Sequence, residues 1–166
     1  MVEFVRKQTI AGFEISEKDP ETFSISGYAL KWGVDAEGDL IPQGSIHPSP
    51  NGIVVFYGHN SRDFPMGKIT KVYDTPEGLK FEGFLVNTTR GKEAKALVEH
   101  GILDKVSIGA RIVDAIWEED IFVLKKLELQ EISLVHNPAR EGTSVALKSK
   151  ERRFLNEIAK HFHKLP

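Results

Sequence analysis

Three residues on separate segments of the chain, Ser107, His59 and Glu131, are of the types that together perform acyl transfer. Ser107 stands in D-K-V-S-I-G-A, residues 104–110. In an extended chain Val106, Ile108, Ala110 and Ile112 share one face, and Ser107, Gly109 and Arg111 share the other. A serine on the polar face of a half-buried strand is ordinarily solvated surface. Gly109 argues for something more. A strand glycine costs stability and marks close approach by a ligand or another backbone, and this one lies on the hydroxyl's own face. No G-x-S-x-G sequence occurs, which excludes the strand-to-helix nucleophile elbow of the α/β-hydrolases.

His59 follows the apolar run I-V-V-F-Y and a glycine, and precedes the polar stretch N-S-R-D. A histidine at the end of a buried strand is firmly held and still reachable, as a general base must be. A hydrogen-bonded structural histidine is the competing reading. The other histidines have other contexts. His100 closes a helix, where a cation is favoured, and His161 and His163 lie near the C-terminus. His47 and His136 remain in play. In L-E-L-Q-E-I-S-L-V, Leu127, Leu129, Glu131, Ser133 and Val135 share parity, so a carboxylate falls on an apolar face. Such burial is costly unless the charge is paired, and a histidine would pair it. Ile132 and Leu134 make the other face apolar too, so a β-bulge would turn Glu131 outward. A hydroxyl nucleophile needs a base, and the base needs an orienting group. Spacing alone leaves open a metal-dependent hydrolase built on His47, His59 and Asp63, although no H-E-x-x-H or H-x-x-x-H pattern supports a metal site.

The elements that must position these groups are mostly strands. Residues 3–15 alternate loosely and 23–32 clearly. Residues 53–57 read as a strand buried on both faces. Residues 67–73 and 79–86 flank the turn D-T-P-E-G as a hairpin, and 105–117 and 121–135 flank W-E-E-D as another. Residues 34–52, rich in Gly, Pro, Asp and Ser, read as a long surface connection. A helix is expected over 88–100, with a threonine N-cap, an Ala94, Leu97, Val98 stripe and Gly101 after its end. A second, amphipathic helix over 151–164 carries Phe154, Leu155, Ile158, Ala159 and Phe162 on one side. The fold class is mainly β, an antiparallel barrel or sandwich with peripheral helices. The expected division is a β-barrel domain over 1–148, which includes the helix at 88–100, and the C-terminal amphipathic helix over 149–166.

A chain of 166 residues, 40% hydrophobic and 28% charged, is sized for one globular core. A net charge of −2 gives no general attraction to nucleic acid. The absence of cysteine excludes disulfides, thiolate metal sites and cysteine catalysis within these residues. No apolar run reaches membrane-spanning length, and M-V-E-F-V-R-K-Q-T lacks the apolar region of a secretion signal. A cytoplasm-like location, with no membrane partner, is expected.

The ordered series G-Y-A-L-K-W, G-D-L-I-P-Q-G-S, Y-G-H-N with P-M-G-K, L-V-E-H-G-I-L-D-K-V-S-I-G-A and L-Q-E-I-S-L-V-H-N-P-A resembles the prohead maturation proteases of tailed bacteriophages. The resemblance runs from about residue 23 to 146. It implies a herpesvirus-assemblin-like β-barrel and a serine endopeptidase. Such an enzyme would act inside the prohead assembled in the bacterial cytoplasm, without a cofactor. Its substrates would be scaffolding protein, the delta segment of the major capsid protein, and itself, with homo-oligomerisation an open expectation. Carried over by motif, Ser107 is the nucleophile, His59 the base, Glu131 the third member and Gly109 part of the substrate space. His136 is the alternative third member, because the related herpesviral enzymes use a second histidine. Arg140 and Gly142, in P-A-R-E-G-T, resemble an oxyanion loop. Ala110 departs from the family's usual aromatic residue after S-x-G, and P-Q-G-S from its P-G-A-F. A non-catalytic assembly module on the same barrel is the competing function.

Overall fold

The longest hairpin carries two of the three candidate residues. Strand β10 (Lys105–Glu118) turns at Glu119, whose φ is 53°, into β11 (Ile121–Val135). One face of the pair is wholly apolar: Val106, Ile108 and Ala110 face inward beside Leu127, Leu129, Ile132 and Leu134, all with no exposure. Burying side chains of this size contributes about 1.5–3 kcal/mol each, which makes the hairpin the anchor of the core.

The computed structural model describes residues 4–9, 13–19, 21–35 and 37–136. Before the hairpin come β1 (Phe4–Thr9), β2 (Phe13–Asp19), β3 (Thr22–Lys31), β4 (Gly33–Val34), β5 (Asp39–Ile41), β6 (Ile46–Pro48), β7 (Ile53–Tyr57), β8 (Gly67–Asp74), β9 (Gly78–Val86) and helix α1 (Thr89–Glu99). The sheet runs β1-β10-β11-β7-β8-β9-β3-β2. Its two ends belong to consecutive strands, and β3 also approaches β1 and β10, so the sheet curls into a nearly closed barrel. The expected mainly β barrel is what the chain forms. Residues 3–15, read as one alternating element, are instead divided between β1 and β2 at opposite ends of the sheet.

The second edge of β11 is filled in an unexpected way. Residues 34–52 are not a free surface connection. They run parallel to β11 and touch it in steps, β5 at Phe122 and Val123 and β6 at Leu127 to Leu129, before β7 continues the same edge at Glu131 to Leu134. The backbone bonds Leu127 N–H to Ser45 O (2.8 Å) and Ser49 N–H to Leu129 O (2.9 Å) flank the middle step. Proline and glycine interrupt the pairing, which hides it from a reading of turn residues. Buried Ile41 and Ile46 hold the interrupted strand in place. The barrel is thus mixed along this one edge and antiparallel elsewhere.

Helix α1 lies where expected. Thr88 caps it by accepting from Gly91 N–H at 3.2 Å, and Gly101 follows its end at φ 68°. At the start of β8, Gly67 is pressed between β7 and β9: a Cβ there would strike the Phe84 carbonyl and the Leu85 backbone. The predicted helix over 151–164 and the boundary at 148/149 lie outside the described residues.

Candidate active site

His59 is aimed by the way β7 ends. Gly58 and His59 take consecutive left-handed conformations, φ 57° and 60°. For a histidine that conformation costs about 1–2 kcal/mol, and such outliers persist where the surroundings fix them. Two bonds fix this one: Gly58 N–H to Leu134 O (3.0 Å) and His59 N–H to Ser133 Oγ (3.3 Å). The tight turn brings the imidazole back to β10 and β11. There Nδ1 is bonded to Glu131 Oε1, and Nε2 lies 2.6 Å from Ser107 Oγ.

Glu131 reaches this place through a bulge. Ala110 pairs with Leu129 and Gly109 with Glu131, so Gln130 is an extra residue in β11. Before the bulge Leu127 and Leu129 are the inward residues; after it, Ile132 and Leu134 are. The simple parity that placed Glu131 with Leu127 and Leu129 is therefore broken at Gln130, and Glu131 and Ser133 join Ser107 on the outer face. Two rows cross the sheet there, Ser107–Ser133–Phe56 and Gly109–Glu131–Val54.

All of these groups are enclosed. Ser107 is 3% exposed, Glu131 5% and Ser133 0%, so Ser107 is not a solvated strand serine. The histidine side chain keeps 13% exposure. A carboxylate at this depth needs partners, and Glu131 has His59 and the Ser133 hydroxyl, which donates to Oε1 at 3.2 Å. Two rungs away, Arg111 pairs with Glu128, which also accepts from Gln130 (3.3 Å) and Ser49 (3.1 Å). The guanidinium, then Gln130 and Ser49, hold the Glu128 carboxyl below its ordinary range. Arg111 is thus engaged by Glu128, and Glu131 by His59 and Ser133.

The other sequence candidates fall elsewhere. His136 directs Nδ1 to the Ile102 carbonyl at 3.0 Å, and an oxygen of Glu131 occupies the position beside His59 Nδ1. Asp63 pairs with Arg90 at 2.8 Å, and His47 is exposed on β6. His47, His59 and Asp63 do not converge. Among the described residues the acidic groups close enough to share a cation are Asp35, Glu37 and Asp39 in the β4–β5 turn. There Asp35 Oδ1 accepts from the backbone N–H groups of Glu37 (2.8 Å) and Asp39 (3.0 Å). Gly109 is buried on the same face as Ser107, opposite Glu131. Arg140 and Gly142 lie outside the described residues.

Ser133 is the residue that sequence reasoning undervalued. It accepts from the backbone of His59 and donates to the side chain of Glu131, so it ties two members of the trio together. Its signal was the E-x-S spacing, which puts both residues on one face once the bulge has set the parity.

The arrangement has relatives. Over 141 residues, 80% of this chain and 66% of the relative, it is 33% identical to the prohead protease of Escherichia phage T5. Over 133 residues, 72% of this chain and 57% of the relative, it is 26% identical to the prohead protease of Enterobacteria phage HK97. The chain therefore spans somewhat under two thirds of the length of these relatives. The structure of the bacteriophage T4 capsid assembly protease superposes with a TM-score of 0.65 at 11% identity, covering 82% of this chain and 99% of that one. At that identity the likeness speaks for the fold. Residues 11–157, which include β7, β10, β11 and every member of the hydrogen-bonded trio, match the family model described as caudovirus prohead serine protease, and to that family this chain belongs.

Proposed function

We propose that the chain is a serine endopeptidase of phage prohead maturation. It cleaves scaffolding protein or the delta segment of the major capsid protein, and itself, inside the prohead assembled in the host cytoplasm. The observation that carries this reading is the unbroken hydrogen-bond chain Ser107–His59–Glu131 on one enclosed face. His59 Nε2 takes the Ser107 proton as Oγ bonds to the substrate carbonyl carbon. The carbonyl π electrons move onto oxygen. On collapse the C–N bond breaks, the amine leaves with the proton from His59, and an acyl-serine remains. Water, deprotonated by the same histidine, then releases the acid. Glu131 fixes the tautomer with Nδ1–H facing the carboxylate and stabilises the imidazolium. Donors aimed at the oxyanion contribute about 2.7–4 kcal/mol each; Arg140 and Gly142 remain the proposed source.

Treatment of the folded protein with a fluorophosphonate tests the reading. The expected result is one adduct, found by peptide mass at Ser107, with loss of capsid- or scaffold-cleaving activity. A folded protein that takes no label and cleaves neither substrate would be a non-catalytic assembly module.

Ser133 has a positioning role in this scheme. Ser133→Ala leaves a buried carboxylate short of one donor and the His59 N–H short of its acceptor. Such a loss costs about 1–3 kcal/mol, or roughly 5- to 150-fold in rate. The expected effect falls on kcat and on the rate of fluorophosphonate labelling, with KM little changed. A lower melting temperature without slower labelling would make Ser133 merely structural.

A further inference from the structure

Next to His59, the loop that runs on to Met66 lines one side of a cavity of about 160 Å³. Its floor is apolar and buried: Met66, Ala94 and Leu103 are 7%, 5% and 2% exposed. Its open side carries Tyr57, 54% exposed, and Phe64, 87% exposed, together with the polar Asp63, Arg90 and Glu93. A phenylalanine left this exposed beside an apolar hollow marks a surface meant to be covered. The loop is held in shape by its own contacts. Asp63 is tied to Arg90 of α1 at 2.8 Å and to Asn60 at 3.0 Å, and Met66 N–H donates to Val55 O at 2.7 Å. A preformed apolar hollow with a few fixed polar groups at its rim has the build of a ligand site.

Building on the endopeptidase reading, we infer that this cavity is a specificity subsite that takes one medium-sized apolar side chain of the substrate peptide: Leu, Ile, Met or Phe. The location carries the choice of occupant. One short loop supplies both the base and the cavity wall, so a chain laid against His59 runs onto Phe64 and Tyr57. The size agrees, since a cavity of ~150 Å³ accommodates a benzene-sized group. The register sets the distance. Phe56, at the cavity edge, is two strands from Ser107 in the row Ser107–Ser133–Phe56. Two strand spacings are about 10 Å, which an extended peptide covers in about three residues. The apolar residue therefore stands two to four residues from the cleaved bond, not at the bond.

The experiment uses the whole chain and a randomised peptide library, with cleavage products read by mass spectrometry. Fluorophosphonate labelling of Ser107 is measured in parallel. The expected result is a preference of about tenfold or more for Leu, Ile, Met or Phe over Ala at one position in that window. Phe64→Ser and Tyr57→Ser, both at exposed walls and checked for folding by thermal melting, should each flatten this ratio severalfold. Cleavage with no apolar preference in the window, or with a preference that survives both substitutions, overturns the inference alone. Absence of both labelling and cleavage overturns the endopeptidase reading and the inference with it.

Discussion

Ser107→Ala is expected to lower kcat/KM on capsid or scaffold substrate by about 10⁶-fold, the scale of loss when the hydroxyl nucleophile of a catalytic unit is removed. The fold should survive. Ser107 is 3% exposed, its neighbours Val106 and Ile108 fill the core side, and alanine fits the same strand position. The price is one hydrogen bond to His59, so the melting temperature should move by a few degrees at most. Residues that act as one unit are not additive. The double variant Ser107→Ala with His59→Ala should therefore be no slower than either single change. Residual processing at the wild-type rate, or losses that multiply in the double variant, would show that the two residues do not work on the same proton.

Much of this geometry was readable before the structure, and the unread part has physical causes. The apolar face of β10 and its serine–glycine face follow from alternation alone, because that strand has no bulge before Ala110. The approach of His59 was half readable. A histidine after I-V-V-F-Y is well mounted, but the left-handed turn that folds its ring back depends on bonds to Leu134 and Ser133, more than seventy residues away. Glu131 was named through its motif and its odd placement. Its true face depends on the bulge at Gln130, a two-strand property that one strand's sequence shows only as an ambiguity. The strand at 53–57 is legible, but the pairing of β5 and β6 along β11 is not, for the same reason. Proline and glycine in 34–52 speak for a loop, and the partner that turns the segment into an interrupted strand lies far along the chain. For Ser133 the E-x-S spacing gives only a shared face with Glu131, and nothing local shows that its hydroxyl is bonded at both ends.

Glu131→Gln is expected to lower turnover by about 10⁴-fold, as loss of the orienting acid does in a Ser-His-Asp protease, while His136→Gln changes it little. The argument is one of proton placement. In the native site Glu131 Oε1 faces His59 Nδ1, which leaves Nε2 as the acceptor facing Ser107 Oγ at 2.6 Å. Glutamine keeps the shape and loses the charge. If its amide turns its N–H to Nδ1, the histidine must carry its proton on Nε2 and can no longer take one from Ser107. If its oxygen stays toward Nδ1, the tautomer survives, but no negative charge stabilises the imidazolium formed during attack. Ser133 does not oppose the turned amide, since its hydroxyl accepts as readily as it donates. His136 stands apart from this network, with its ring on the Ile102 carbonyl and its side chain exposed. Glutamine there can keep a similar bond. Steady-state kinetics with one cleavable capsid peptide, run beside fluorophosphonate labelling of each variant, separates the cases. Slow labelling of Glu131→Gln beside normal labelling of His136→Gln supports the acid as the orienting group. The opposite pattern would mean that a second histidine performs the orienting role and that the Glu131 contact is structural.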